Sequence, residues 1–88
     1  MYNAPMTNTM NPAAAAVRLH LIDAISELHN WALGTTNLRA HRLLSEAIRN
    51  VEAGDNVSAC SNIEEAMTCN PDPAAKRHMV RAWNRLTN

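Results

Sequence analysis

The chain has 88 residues, enough for one domain with a modest core. Its formal net charge is zero with the histidines neutral, so no global field draws it toward nucleic acid or an anionic membrane. Hydrophobic residues make up 47% but aromatics only 3%, and Phe is absent; a core of Ala, Leu, Ile, Val and Met favours closely packed helices and disfavours a sheet.

Residues 1–11 are polar, rich in Met and Asn, and without periodicity. They read as a flexible tail whose Met1, Met6 and Met10 could order against a partner. No Lys or Arg precedes Arg18 and no long apolar run occurs there, so neither a secretory signal nor a transmembrane span is expected. The single helical domain occupies residues 12–88. Asn11 can cap its first helix, and Pro12 suits the first helical position, where an N–H would have no partner. The apolar period carries this helix to Leu33, with Gly34 as its stop. Val17, Leu21, Ala24, Ile25, Leu28, Trp31 and Ala32 share one stripe, while Asp23, Glu27 and Asn30 lie opposite.

Thr36 is the expected cap of a second helix over 37–53, ended by Gly54. Its inner stripe is Ala40, His41, Leu44, Ala47, Ile48 and Val51. Arg39, Arg42, Glu46 and Arg49 form the outer face, where Arg42 and Glu46 can pair weakly one turn apart. Asp55 or Asn56 caps a third helix ending near Cys69 and Asn70, with Ala59, Cys60, Ile63, Ala66 and Met67 on its apolar side. Pro71 and Pro73 cannot lie in a helix interior, so "NPDP" separates this helix from a fourth. That helix is capped by Asp72 and runs to about Leu86 on a stripe of Ala75, Met79, Val80, Trp83 and Leu86. The expected fold is all-α, four helices joined by short turns with antiparallel neighbours.

Gly54, Ala59, Ile63, Ala66 and Pro71 follow a distinctive order: a turn Gly, two small residues, a larger apolar residue between them, and a closing Pro. Over about residues 40–73 this resembles one tetratricopeptide repeat, most closely its second helix. Leu43 and Ala47 fit the first helix of the pattern, whereas Glu46 and Asn50 replace its Leu and Tyr. Residues 12–34 show no preceding copy. A generic α-hairpin selects the same small and large residues for the same packing reason. The resemblance implies a protein-interaction role.

The neutral total hides a polarised second half. Residues 55–72 hold Asp55, Glu64, Glu65 and Asp72 with no basic residue, and residues 73–88 hold Lys76, Arg77, Arg81 and Arg85 with no acid. Arg77, Arg81 and Arg85, four residues apart, form a ridge. Either it faces solvent, some charges meeting the acidic third helix, or it engages an anionic partner, an acidic protein or nucleic-acid phosphates. His29 and His41 flank the first turn and could face each other as a structural pair; no motif supplies the further ligands a metal site needs. Cys60 and Cys69 would lie roughly 13 Å apart along one helix, too far for a disulfide, which fits a reducing, cytoplasmic setting. No Gly-rich phosphate loop, triad or acid/base spacing recommends catalysis, and no cofactor is expected.

Leu19 and Leu43 fall outside the stripes, and Ile22 and Leu33 widen the first helix's apolar face. Together they are the candidate partner-binding residues. The reading is a small non-enzymatic protein-interaction module, a regulator, inhibitor or chaperone-like protein that could homodimerise. The alternative is a nucleic-acid-binding regulator using the basic last helix.

Overall fold

Local chemistry sets each helix boundary. The computed structural model describes residues 12–29, 35–69 and 71–88, with the backbone alone for residues 29 and 35–37. Within them α1 spans Pro12–His29, α2 Thr35–Glu52, α3 Asn56–Met67 and α4 Pro73–Thr87, and no strand occurs among the described residues. The expected tail, the Asn11 cap, the continuation through Trp31, Ala32 and Leu33, and the Gly34 stop lie outside the described residues.

Gly54 has φ +84°, the left-handed region that a Cβ disfavours. Its N–H donates to Val51 O at 3.1 Å and that of Asp55 to Asn50 O at 2.8 Å, the paired bonds that close a helix C-terminus. Asp55 then caps α3: its carboxylate accepts the Ser58 N–H at 3.0 Å. The Ser58 amide and hydroxyl hold the Asp55 carboxyl below its ordinary pKa. Asp72 accepts the N–H groups of Ala74 and Ala75 at 3.1 and 3.3 Å, ahead of Pro73 at the start of α4. Two boundaries differ from expectation. Helix α2 already includes Thr35, so Thr36 lies inside it, and α3 stops at Met67. Thr68 and Cys69 close it, their N–H groups donating to Glu65 O and Ala66 O, which tightens the last turn.

The four helices run alternately up and down. Helix α1 packs most extensively on α4 and α2 on α3, with lighter contact between α1 and α2 and between α3 and α4. The chain thus closes a four-cornered bundle. Its interior joins Val17, Leu21, Leu28, Leu44, Ile63 and Met79, all under 2% exposed, to seven buried alanines at positions 24, 40, 47, 59, 66, 75 and 82. The alanines let helix backbones approach, and the larger residues fill the space between. In the α2/α3 hairpin Ala59, Ile63 and Ala66 are wholly buried, the arrangement that both a tetratricopeptide-like and a generic hairpin require.

Val80 corrects the expected stripe of α4: it is 39% exposed, and Ala82 is buried instead. Positions 75, 79 and 82 recur at four and three residues, while position 80 lies about 100° around the helix from Met79. Leu43 is a second correction. It stands three residues from Ala40 and four from Ala47, and packs against the core instead of forming free surface. Cys60 is half-buried, Cys69 is buried, and both are free thiols.

Polar pairs pin the helices together at the surface. Asn50 Nδ2 donates to Asn62 Oδ1 at 2.7 Å between α2 and α3, partly buried. Arg39 meets Glu65 at 2.7 Å across the same hairpin, Arg18 meets Glu52 at 2.9 Å between α1 and α2, and Trp83 Nε1 donates to Glu64 at 2.8 Å between α4 and α3. The expected Arg42–Glu46 pair does not form. An exposed pair gains little against the entropy of holding two long side chains.

Candidate functional site

Helix α1 has three charged residues in eighteen, Arg18, Asp23 and Glu27, and is apolar on two opposite faces. One face is the buried stripe Val17, Leu21, Ala24 and Leu28. On the other, Ala15, Leu19, Ile22 and Ser26 recur at four, three and four residues, a second line along the helix. Leu19 is 59% exposed, Ile22 and Ala15 are partly exposed, and Ser26 is exposed. The outer faces of the other helices carry charge instead: Arg42 and Arg49 on α2, Glu64 and Glu65 on α3, Lys76, Arg77 and Arg81 on α4, all exposed. Of the candidate partner-binding residues, Leu19 and Ile22 therefore share one surface, Leu43 is half-buried against the core on another helix, and Leu33 lies outside the described residues.

Two further exposed hydrophobics gave no signal in the stripe pattern. Leu38 is 58% exposed near the start of α2, and Val57 is 82% exposed in the first turn of α3. Val57, Cys60 and Leu86 line a shallow hollow of about 350 Å³ between α3 and α4, with Glu64 at its rim. Burial, and next the Glu64 carboxylate, push the Cys60 thiol pKa up, so it is not an activated nucleophile.

The flank of α1 that meets α4 is polar. His20 and His78 stack across the helix pair, ring centroids 6.3 Å apart and planes at 30°. Each Nδ1 is buried without a hydrogen-bond partner. Just beyond them an open groove of about 710 Å³ is lined by Ala13 and His20 of α1 and by Arg81, Asn84, Arg85 and Asn88 of α4 and its end. Burial first, then the Arg85 guanidinium, His78 and Arg81, lower the His20 pKa against the opposing pull of Asp23. Arg77, Arg81 and Arg85 are exposed and make no ion pair among the described residues. The acids of α3 do not meet them as the sequence allowed: Glu65 is taken by Arg39 and Glu64 by Trp83. The expected His29–His41 pairing falls on a side chain outside the described residues; the histidine pair on view is a different one.

Among the described residues no three His, Cys, Asp or Glu side chains come together as a metal site would need. No helix of the described chain is long and apolar enough to cross a membrane. The molecule is an all-α four-helix bundle with one apolar outer stripe and one basic groove. No family model matches the chain, and no curated protein or solved structure matches it.

Proposed function

We propose that this chain is a small non-enzymatic interaction module that holds an amphipathic helix of a partner protein against the outer face of α1. The observation that carries this reading is the doubled apolar character of α1. Its outward line of Ala15, Leu19 and Ile22 has no counterpart on α2 or α4, whose outward faces are charged. An amphipathic helix buries one apolar stripe in its own domain, and a second exposed one is free to pack against another chain. The line from Ala15 to Ile22 covers roughly 10 Å, two turns of a facing helix. A patch only two turns long buries far less than the roughly 800 Å² per partner of a standard stable interface, so the contact is transient. The non-enzymatic reading rests on the sequence, in which no Gly-rich phosphate loop, triad or acid/base spacing recommends catalysis.

A photo-activatable cross-linker placed at position 19, in cells that express the protein, tests this. The expected result is an adduct with another protein that is absent with the cross-linker at position 42 and is lost on Ile22→Asp. Adducts joining two copies would make the partner a second molecule of this chain and overturn the heterotypic reading. Equal labelling at 19 and 42, or loss of the adduct on Val57→Asp but not on Ile22→Asp, would remove the α1 face from consideration.

A further inference from the structure

The α1/α4 groove and the arginine ridge are one continuous surface. Arg81 lines the groove and also a neighbouring hollow of about 400 Å³ formed with Pro73, Lys76, Arg77 and Val80. Arg77, Arg81 and Arg85 rise about 6 Å per step along α4 and turn about 40° per step, because four residues slightly exceed one helical turn. The ridge therefore winds from the outer face of α4 toward α1, and Arg85 acts on His20 more strongly than Arg81 does. Helix α4 contains no acidic residue, and among the described residues no acid of another helix pairs with its three arginines. Three arginines in line, with Lys76 beside the first of them about 100° around the helix, lie over two adjoining concavities and suit a polyanion that is extended along its own axis. A single small anion would use only one of the two concavities.

We infer that this track binds the phosphodiester backbone of a nucleic-acid strand. Arg85 and Arg81 contact phosphates in the groove, with Asn84 donating beside them, and Arg77 and Lys76 take the next phosphates along the strand. The contact is independent of base sequence, since phosphates carry none of that information. Trp83 offers no stacking platform, because its indole N–H is held by Glu64 on the side of α4 that faces α3. Asp23, three residues after His20 on α1, opposes the arginines in their effect on His20 and so disfavours an anion beside it. The acidic partner that the same cations could also suit is a separate class, and the test separates the two.

The experiment is a titration of the full chain with a labelled single-stranded oligonucleotide at 50 and 200 mM salt, followed by backbone amide shifts. Four phosphate contacts at about −0.7 each predict a log–log salt slope of roughly −3, a loss of about 50-fold over that range. Shifts should centre on His20, Arg81, Asn84 and Arg85. Arg81→Ala with Arg85→Ala should halve the slope to roughly −1.5, while Arg42→Ala with Arg49→Ala, which removes the same charge from α2, should leave it unchanged. Asp23→Asn should tighten binding. Shifts that map elsewhere, an equal loss in the α2 control, or polyglutamate bound as tightly as the oligonucleotide would each overturn the inference. None of these outcomes depends on the α1 outer stripe, so the two proposals stand or fall separately.

Discussion

His20 and His78 lie on different helices, eight residues from the start of α1 and nine from the end of α4, yet their rings stack at 6.3 Å with both Nδ1 atoms buried and unpartnered. A neutral ring leaves Nδ1 as an unused acceptor, and a protonated one would place an N–H there without an acceptor. The pair is tolerated because it is apolar enough to pack when neutral. At His20, burial and the neighbouring arginines disfavour the charged ring.

That gives a direction for pH. The His20 pKa is lowered from 6.5 by burial, then Arg85, His78 and Arg81, so the unfolded chain binds more protons than the folded one just below pH 6.5. Its contribution is present above pH 6.5 and is lost as pH falls from there through the folded value. Urea melts between pH 5 and 8 should show stability falling on acidification, with a shallower fall in His20→Leu. An identical pH slope in the variant would remove His20 as the cause.

The Asn50–Asn62 amide bond should be worth more to break on one side than on both. Asn50→Ala leaves the Asn62 carbonyl partly buried and unpaired, at a cost of about 1–3 kcal/mol. Replacing both by Leu should cost less than the single change. A double-mutant cycle by chemical denaturation reads the coupling, and purely additive losses would mean that the bond contributes nothing.

Ile63 is wholly buried between α3 and its neighbours, whereas Val57, six residues earlier on the same helix, is 82% exposed. Ile63→Val should destabilise by about 0.5–1.5 kcal/mol and Ile63→Ala by about 2–5 kcal/mol, from lost transfer energy and the cavity left behind. Val57→Ala should change stability by no more than about 0.5 kcal/mol. Comparable losses at both positions would contradict the packing described.

Helix caps and surface ion pairs should separate in the same assay. Asp72→Ala strips two amide partners from the start of α4 and should cost about 0.5–2 kcal/mol. Glu52→Gln breaks the pair with Arg18, both side chains being more than 40% exposed, and should cost less than about 1 kcal/mol, vanishing in high salt. A larger effect at Glu52 than at Asp72 would reverse that ranking.

The expected apolar stripes located nearly all of the core, because burial along one helix follows from its period. Val17, Leu21, Ala24 and Leu28 needed no neighbour to be recognised, nor did Ala40, Leu44, Ala47 and Val51. Val80 failed because Trp83, about 60° from it around the helix, drew the fourth stripe too far round. Ala82, small and unremarkable in a window, is wholly buried. The candidate arginines were legible as a ridge from their spacing alone, but their freedom from ion pairs was not. Glu64 and Glu65 looked like natural partners until Trp83 and Arg39 were seen to occupy them.

By itself the sequence determined the Gly54 stop of α2, the Asp55 and Asp72 caps that start α3 and α4, and which side of each helix turns inward. Caps, Pro and Gly act over three or four residues, and a helix stripe repeats over the same distance. Only the tertiary structure decided that α4 closes against α1, that His20 meets His78, and that Arg81 and Arg85 open into a groove. Those outcomes depend on the rotation and register of one helix against another. They are fixed by how buried alanines and leucines interlock across the bundle, and no single helix contains that information.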